Sequence, residues 1–338
     1  MMPISSPPRA QHEFIQAICP QCTPNSSKPS PNDATHRSSF FRPRRGMGSD
    51  LASASPAARK ILELGNDILP QDFSTVLQSG PEETLTRTSY CQPALYLHGL
   101  ALLAALREKN PNFSFSATAG LSLGEFTAHA AAGTFSPLDG LRLVAHRGTL
   151  MEEACTQTQG AMLALLGTDE SVASRIAKES GWEIANLNGG GQVVLSGPAA
   201  KLADAQAAAK AAGVKRSIPL KVAGAYHSSL MNSARQGLAD SIANTPFAAP
   251  SVPVSSNVLG KPAQGVDAIR LSLLEQVTGT VRWEACLKQL AESGIRHFLE
   301  LGPGGVLAGL SKKILPDLPC TSAGTLAELE KAIHELPR

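Results

Sequence analysis

The run FSFSATAGLSLGEFTAHAAAG, residues 113–133, constrains this chain more than any other stretch. Residues 113–119 read as a short buried strand, and LGEFTAHAAAG reads as a helix rich in small residues. Between them stands Gly120-Leu121-Ser122-Leu123-Gly124, the Gly-x-Ser-x-Gly pattern of a nucleophile elbow. A strand that turns directly into a helix lifts the intervening serine hydroxyl clear of the sheet. Small neighbours let the backbone turn tightly and the helix pack close. Gly133 stands where a helix C′ stop is needed. Strand, turn and helix in this order call for an α/β architecture with Ser122 as candidate nucleophile.

The rest of the chain has material for such a fold. Its 338 residues, 43% of them hydrophobic, can bury a substantial core as one large domain or two smaller ones. The formal charge of +2, from 30 basic and 28 acidic residues, points to neither nucleic acid nor a membrane surface as partner. No apolar run approaches the roughly 18 residues that span a bilayer. The six cysteines, at 19, 22, 91, 155, 286 and 320, form no disulfide framework, which suits a reducing compartment. The expected location is cytoplasmic, or organellar if the N-terminal segment is a transit peptide, although no amphipathic Arg-rich helix stands out there. That segment, residues 1–45, is rich in Pro and Ser and lacks apolar periodicity, so it reads as disordered or atypical. Its Cys19-Pro-Gln-Cys22 pair, with His12 or His36 as further ligands, has no second cysteine pair, and no metal site is expected.

From Gly46 onward the pattern is ordered. LASASPAARKILELGNDIL, residues 51–69, reads as a helix, and SYCQPALYLHGLALLAALREKN, residues 89–110, as a longer apolar one. A further helix starts with Ser136 as N-cap, Pro137 at N1 and Asp139 at N3. Its apolar stripe runs through Leu141, Val144, Gly148 and Met151, and Arg147 sits within that stripe. A charge on an apolar face is costly without a partner. Two readings stand side by side: a structural ion pair with Glu125 or Glu152, and a guanidinium that grips a carboxylate bidentately.

Residues 158–223 have their own rhythm. GAMLALLG (160–167), WEIANLN (182–188), QVVLSGP (192–198) and KRSIPLKV (215–222) read as strands, with helices at 169–180 and 199–213. This β-α-β-β-α-β order is the split βαβ arrangement of a ferredoxin-like unit, inserted between 46–157 and 224–338 of the main α/β layer. His227 comes directly after it, where a strand is expected to return to the main body. A serine nucleophile needs a base, and of the histidines this one is best placed at the elbow. Lys210, Lys215, Arg216 and Lys221 form a basic cluster in the inserted unit, either a docking face for an acidic partner or an ordinary solvated surface.

GLSLGEF at 120–126, HRGTLMEEA at 146–154, ANLNGGGQVVLSG at 185–197, GAYHSSLM at 224–231, VPVSSNV at 252–258, EQVTGTVRW at 275–283 and FLELGPGGVL at 298–307 form an ordered series. The series resembles the malonyl-CoA:acyl-carrier-protein transacylases, and is similar also to acyltransferase domains of polyketide synthases, over roughly residues 46 to 330. The resemblance implies an α/β-hydrolase-like core carrying the ferredoxin-like subdomain. It implies transfer of a malonyl group from malonyl-CoA to the phosphopantetheine thiol of acyl carrier protein in fatty-acid biosynthesis, with no cofactor. By the same resemblance, Ser122 forms the malonyl ester and His227 is general base and acid. The backbone carbonyl of Gln276 orients the imidazole in place of a third acid. Arg147 holds the malonyl carboxylate, and the backbone N–H of Leu123 is one oxyanion donor. Tyr226 matches an aromatic position that goes with malonyl rather than methylmalonyl, a discrimination worth about 1–3 kcal/mol per methyl.

One departure stands out. The family begins with a hydrophobic strand and a Gly-Gln-Gly-x-Gln loop whose first glutamine supplies the second oxyanion N–H. GMGSDLA, residues 46–52, resembles the residues just after that loop, but upstream stands RSSFFRPRR, with neither strand nor glutamine. An altered start or upstream frameshift is the expectation. Losing one oxyanion donor commonly costs about 10²–10³ in kcat. Gln92, in QPAL, lies near the site by the same resemblance but takes no replacement role. Two alternatives to a working transacylase remain: a serine thioesterase or hydrolase on the same fold, and a catalytically impaired carrier-binding homologue.

Overall fold

The structure is a computed structural model and describes residues 15–18 and 43–336. In chain order it runs from strand β1 (Ile15–Ile18) through four short helices, α1 (Ser49–Ala54), α2 (Pro56–Glu63), α3 (Phe73–Ser79) and α4 (Glu82–Leu85), to the long α5 (Thr88–Lys109). Next come β2 (Ala117–Gly120), α6 (Leu123–Ala131) and α7 (Pro137–Gln157). The middle of the chain is β3 (Gly160–Leu166), α8 (Glu170–Ser180), β4 (Glu183–Gly189), β5 (Gln192–Pro198), α9 (Leu202–Ala211) and β6 (Arg216–Pro219). The last third holds α10 (Asn232–Asn244), the two-residue strands β7 (Ser255–Ser256) and β8 (Lys261–Pro262), α11 (Val266–Glu275), α12 (Trp283–Glu292), β9 (Phe298–Leu301), α13 (Val306–Ile314), β10 (Cys320–Ala323) and α14 (Leu326–Glu335).

Two four-stranded sheets organise these elements. The first is wholly parallel in the order β10-β9-β1-β2. Parallel strands are buried on both faces, and every residue of β2 and β9 is buried. Period-2 alternation divides them: Leu299 and Leu301 pack with Leu102 and Leu106 of α5, whereas Phe298 and Ala117 pack with Leu287, Leu290, Leu307 and Leu310 of α12 and α13. The second sheet is antiparallel in the order β4-β5-β3-β6. One of its faces packs Leu163, Leu165, Val193 and Leu195 against α8 and α9. The other turns Met162, Ala164 and Val194 towards Leu123, Phe126 and Tyr226 in the main core. The two sheets are also tied through the segment after α11, where Val281 N–H donates to Ala185 O and Leu187 N–H to Val281 O, each at 2.8 Å.

Four sequence expectations need correction. A central strand was expected to be missing; instead β1 pairs Ile15–Ile18 with Ala117–Gly120 on one side and joins β9 on the other. Four residues amid Pro- and Ser-rich sequence carry too short a pattern to read, and this slot is defined by strands some 100 and 280 residues away. The other N-terminal expectations, including the Cys19/Cys22 and His12/His36 readings and the disorder of the rest of 1–42, fall outside the described residues. The helix expected over 51–69 is two helices, because Ser55, preceding Pro56, takes an extended conformation and caps α2 by accepting from Ala58 N–H. No strand leads into His227: β6 ends at Pro219, and residues 220–228 are irregular. The cysteines differ too. Cys155, Cys286 and Cys320 are free, but Cys91 is disulfide-bonded.

Candidate active site

The elbow exists because nothing larger than hydrogen fits at Gly120. A Cβ there would stand 2.0 Å from the backbone of Gly124, so β2 and α6 meet in near contact. The turn between them forces Ser122 to φ 55° and ψ −112°. Among the described residues only Ser122 and His227 (φ 57°) combine a side chain with positive φ. Such strain costs on the order of 1–3 kcal/mol and persists where surroundings over-determine it. Here the surroundings are visible. Asn257 Oδ1 accepts from Ser122 N–H at 2.6 Å, and Asn257 Nδ2 donates to Gly120 O at 2.7 Å, clamping both sides of the turn.

Ser122 Oγ lies 2.9 Å from His227 Nε2, and His227 Nδ1 lies 2.8 Å from Gln276 O. A carbonyl only accepts, so Nδ1 carries the proton and Nε2 is left basic towards the serine. Burial pushes the His227 imidazolium down to about 4, helped by the Arg147 charge and opposed by the backbone carbonyls of Gln276 and Gly279. The ring is therefore neutral at physiological pH. Leu123 is buried at the first position of α6, where a helix leaves N–H groups without internal partners. Negative charge placed above Ser122 would face the positive end of the α6 dipole.

Arg147, on α7, is 1% exposed. The ion pair weighed from the sequence is not its arrangement among the described residues: Glu152 pairs with Arg87 at 2.5 Å instead. Arg147 Nη1 donates to Gln92 Oε1 (2.6 Å), and Nη2 donates to Gln276 Oε1 (2.9 Å) and Ser122 Oγ (3.1 Å). Its Nε–H has no hydrogen-bond partner among the described residues, and its carbon Cζ lies 5.4 Å over the Phe126 ring. Burial lowers the guanidinium to about 10, which leaves it cationic at neutral pH. A buried cation held by two neutral amides, with donor capacity to spare, has the chemistry to take an anion. Such an anion would sit beside Ser122 Oγ.

Three further residues belong to this cluster. Glu125 is fully buried; burial raises its carboxyl to about 7 against the hydrogen bonds and the Arg147 charge that hold it down. The Gln276 side chain donates from Nε2 to Glu125 Oε2 (2.6 Å) and to Ser122 O (2.8 Å). Tyr226 is buried beside His227, with its hydroxyl 2.8 Å from Thr88 Oγ1. Within VPVSSNV, nothing in the sequence marks Asn257 as a clamp, and Glu125 was expected only as an ion-pair partner. Other histidines lie elsewhere: His98 meets Gly324 O, His129 meets Thr134 Oγ1 and His146 meets Ser241 Oγ. Among the described residues no group of three or more His, Cys, Asp or Glu side chains could hold a metal, and no helix is long and apolar enough to cross a membrane.

A family model described as the acyl transferase domain matches residues 44–334. The chain belongs to the acyl transferase family. It is 36% identical over 296 residues to the malonyl CoA-acyl carrier protein transacylase of Bacillus subtilis, covering 86% of this chain and 93% of that one. It is 40% identical over 276 residues to the polyketide biosynthesis protein ThaF of Burkholderia thailandensis, but spans only 23% of that protein's length. The malonyl-transacylase solved in complex with a type II PKS acyl-carrier protein superposes with a TM-score of 0.85 at 34% identity, over 96% of this chain and 99% of that one. This member of the family is thus an acyltransferase, with Ser122 and His227 meeting in a strained, buried turn.

Proposed function

We propose that this chain transfers malonyl groups from malonyl-CoA to the phosphopantetheine thiol of acyl carrier protein, serving fatty-acid or polyketide synthesis. Ser122 Oγ attacks the thioester carbonyl while His227 Nε2 takes its proton. The oxyanion is met by Leu123 N–H, and His227 returns the proton to the departing CoA sulfur. The carrier's thiol then gives its proton to His227 and attacks the seryl ester, and Ser122 leaves with that proton restored. Arg147 holds the malonyl carboxylate through the reaction. The observation that carries the reading is Arg147 itself: a buried, cationic guanidinium 3.1 Å from the serine oxygen, with an Nε–H that has no partner among the described residues. A simple esterase has no use for it.

The same proposal divides the chain into a hydrolase-like core, 46–157 and 224–338, and a ferredoxin-like subdomain, 158–223. The order β4-β5-β3-β6, the second, third, first and fourth strands of a βαββαβ unit, supports that division. Lys210, Lys215, Arg216 and Lys221 are exposed on the subdomain and supply a basic face suited to an acidic carrier.

The test is intact-protein mass after mixing with malonyl-CoA, with Ser122→Ala alongside. A malonyl adduct on the parent chain alone, persisting until holo-carrier is added, is the expected result. An adduct that water removes at once would make the chain a hydrolase. No adduct at all would overturn the transferase reading.

A further inference from the structure

Gln276 does two unrelated things with one residue. Its backbone carbonyl holds His227 Nδ1, while its side-chain amide spans Arg147 on one end and Glu125 with Ser122 O on the other. An amide has a donor end and an acceptor end, and turning it by 180° exchanges them. Here the hydrogen-bond partners decide the orientation. Glu125 Oε2, which already accepts from Asn257 N–H at 3.1 Å, and the carbonyl Ser122 O both stand as acceptors, so the NH₂ end faces them. Arg147 offers only donors and receives the oxygen.

We infer that Glu125 is a positioning residue for acyl-group selectivity: by holding the NH₂ end of Gln276, it keeps Gln276 Oε1 turned to Arg147 and the guanidinium aligned for a carboxylate. Without Glu125, the amide is held at its NH₂ end by Ser122 O alone. Once flipped, it presents donors to a donor-only guanidinium, and Arg147 loses one of its two amide anchors. The remaining contact to Ser122 Oγ then draws the cation onto the nucleophile. His227 is spared, because its partner is the Gln276 backbone. The geometry therefore separates two functions that a merely structural role for Glu125 would lose together. This inference rests on the reading of Arg147 as the carboxylate anchor.

The experiment compares kcat/KM for loading Ser122 with malonyl and with acetyl groups from their CoA thioesters. The chains are the parent, Glu125→Ala, Glu125→Gln, Gln276→Met and Arg147→Ala. A glutamine at 125 still offers a carbonyl oxygen to Gln276 Nε2 and Asn257 N–H, so E125Q should keep the malonyl preference within about threefold. E125A should lose at least about tenfold of that preference, the scale of one buried hydrogen bond, with acetyl loading retained. In Q276M the malonyl preference should fall as far as in E125A, whatever happens to absolute rates, and adding E125A to it should cost no further preference. Equal loss of malonyl and acetyl loading in E125A, or a loss in E125Q as large as in E125A, would overturn the inference. Should E125A fail to fold, Q276M and E125Q decide: preference kept in Q276M overturns it, and preference lost in Q276M but kept in E125Q upholds it. If Arg147→Ala leaves the preference intact, the carboxylate reading itself fails; if only Arg147→Ala changes it, the role of Glu125 alone fails.

Discussion

Arg147 acts on His227 through charge, besides the carboxylate grip proposed for it. Its cation is the second cause, after burial, that holds the His227 imidazolium near 4. A general base must be neutral, so the acid limb of kcat/KM for acyl loading should lie near that value rather than near the ordinary 6.5, leaving activity flat from neutral pH down to about 5. Arg147→Ala should abolish malonyl loading while sparing or improving acetyl loading. With acetyl-CoA its acid limb should move upward, because the repelling charge is gone. A pH profile of acetyl loading in the two chains checks this. An unmoved limb would mean that burial alone sets the base. The arginine was legible in the sequence as a charge out of place on an apolar stripe. Its partners were not: Gln92 and Gln276 lie 55 and 129 residues away along the chain, and no local pattern marks a glutamine as an anchor.

At the scale of elements, the site depends on how closely helices approach one another. Helix α7 is well determined by its own sequence: Ser136 Oγ accepts from Asp139 N–H at 3.0 Å, and Pro137 stands in the first turn. Where α7 lies is set by Gly148, next to Arg147, against the start of α5. A Cβ at 148 would stand 2.8 Å from Thr88 O. Gly148→Ala is expected to push α7 outward and carry the guanidinium with it. Misplacement by about 1 Å costs on the order of 10²-fold when it disturbs reacting geometry, so malonyl kcat/KM should fall by one to two orders of magnitude, about tenfold or more beyond any loss with acetyl. Loading kinetics with both thioesters measure it. Equal losses would point to general destabilisation. The elbow was readable in the same way, since Gly120 and Gly124 announce a tight crossing, whereas the clamp from Asn257 comes from the far side of the inserted unit.

Across the whole molecule, buried titratable groups pull stability in opposite directions. Glu125 and Glu300 are each raised to about 7, both chiefly by burial; Glu300 accepts from Leu307 and Ala308 N–H at the start of α13. A raised carboxyl binds its proton more readily folded than unfolded, so its contribution is full below about 4.5 and is lost as pH rises through about 7. His98, His129 and His227 are lowered to about 4, 3 and 4, again chiefly by burial. Their contribution is full above about 6.5 and is lost as pH falls towards about 4. Between about 4.5 and 6.5 the two sets oppose each other, and below about 4.5 only the histidine loss remains. Melting temperature should therefore fall gently with acidification to about 4.5 and steeply below it. Glu300→Gln removes part of the opposition and should steepen the fall between 6.5 and 4.5. A slope unchanged by that substitution would show Glu300 ionising in the folded protein as it does in the unfolded chain.

Local chemistry determined most of the elements and marked the serine of the elbow. Caps at Ser136 and Asp169, stops at Gly133 and Gly181, and the Gly-x-Ser-x-Gly turn are short-range signals, complete within a few residues. Tertiary structure decided what short range cannot encode. The slot for β1 exists only between two strands far along the chain. The break at Ser55 has a local cause, the following Pro56, that the single helix over 51–69 passed over, whereas the irregular run into His227 has none, because that histidine's positive φ is imposed by partners on other elements. The orientation of one buried amide, on which the proposed carboxylate site turns, is set by Glu125, Ser122 and Arg147 together. Hydrogen bonds join whatever the fold brings within 3 Å or so, regardless of distance along the chain, and a single sequence holds no record of those distances.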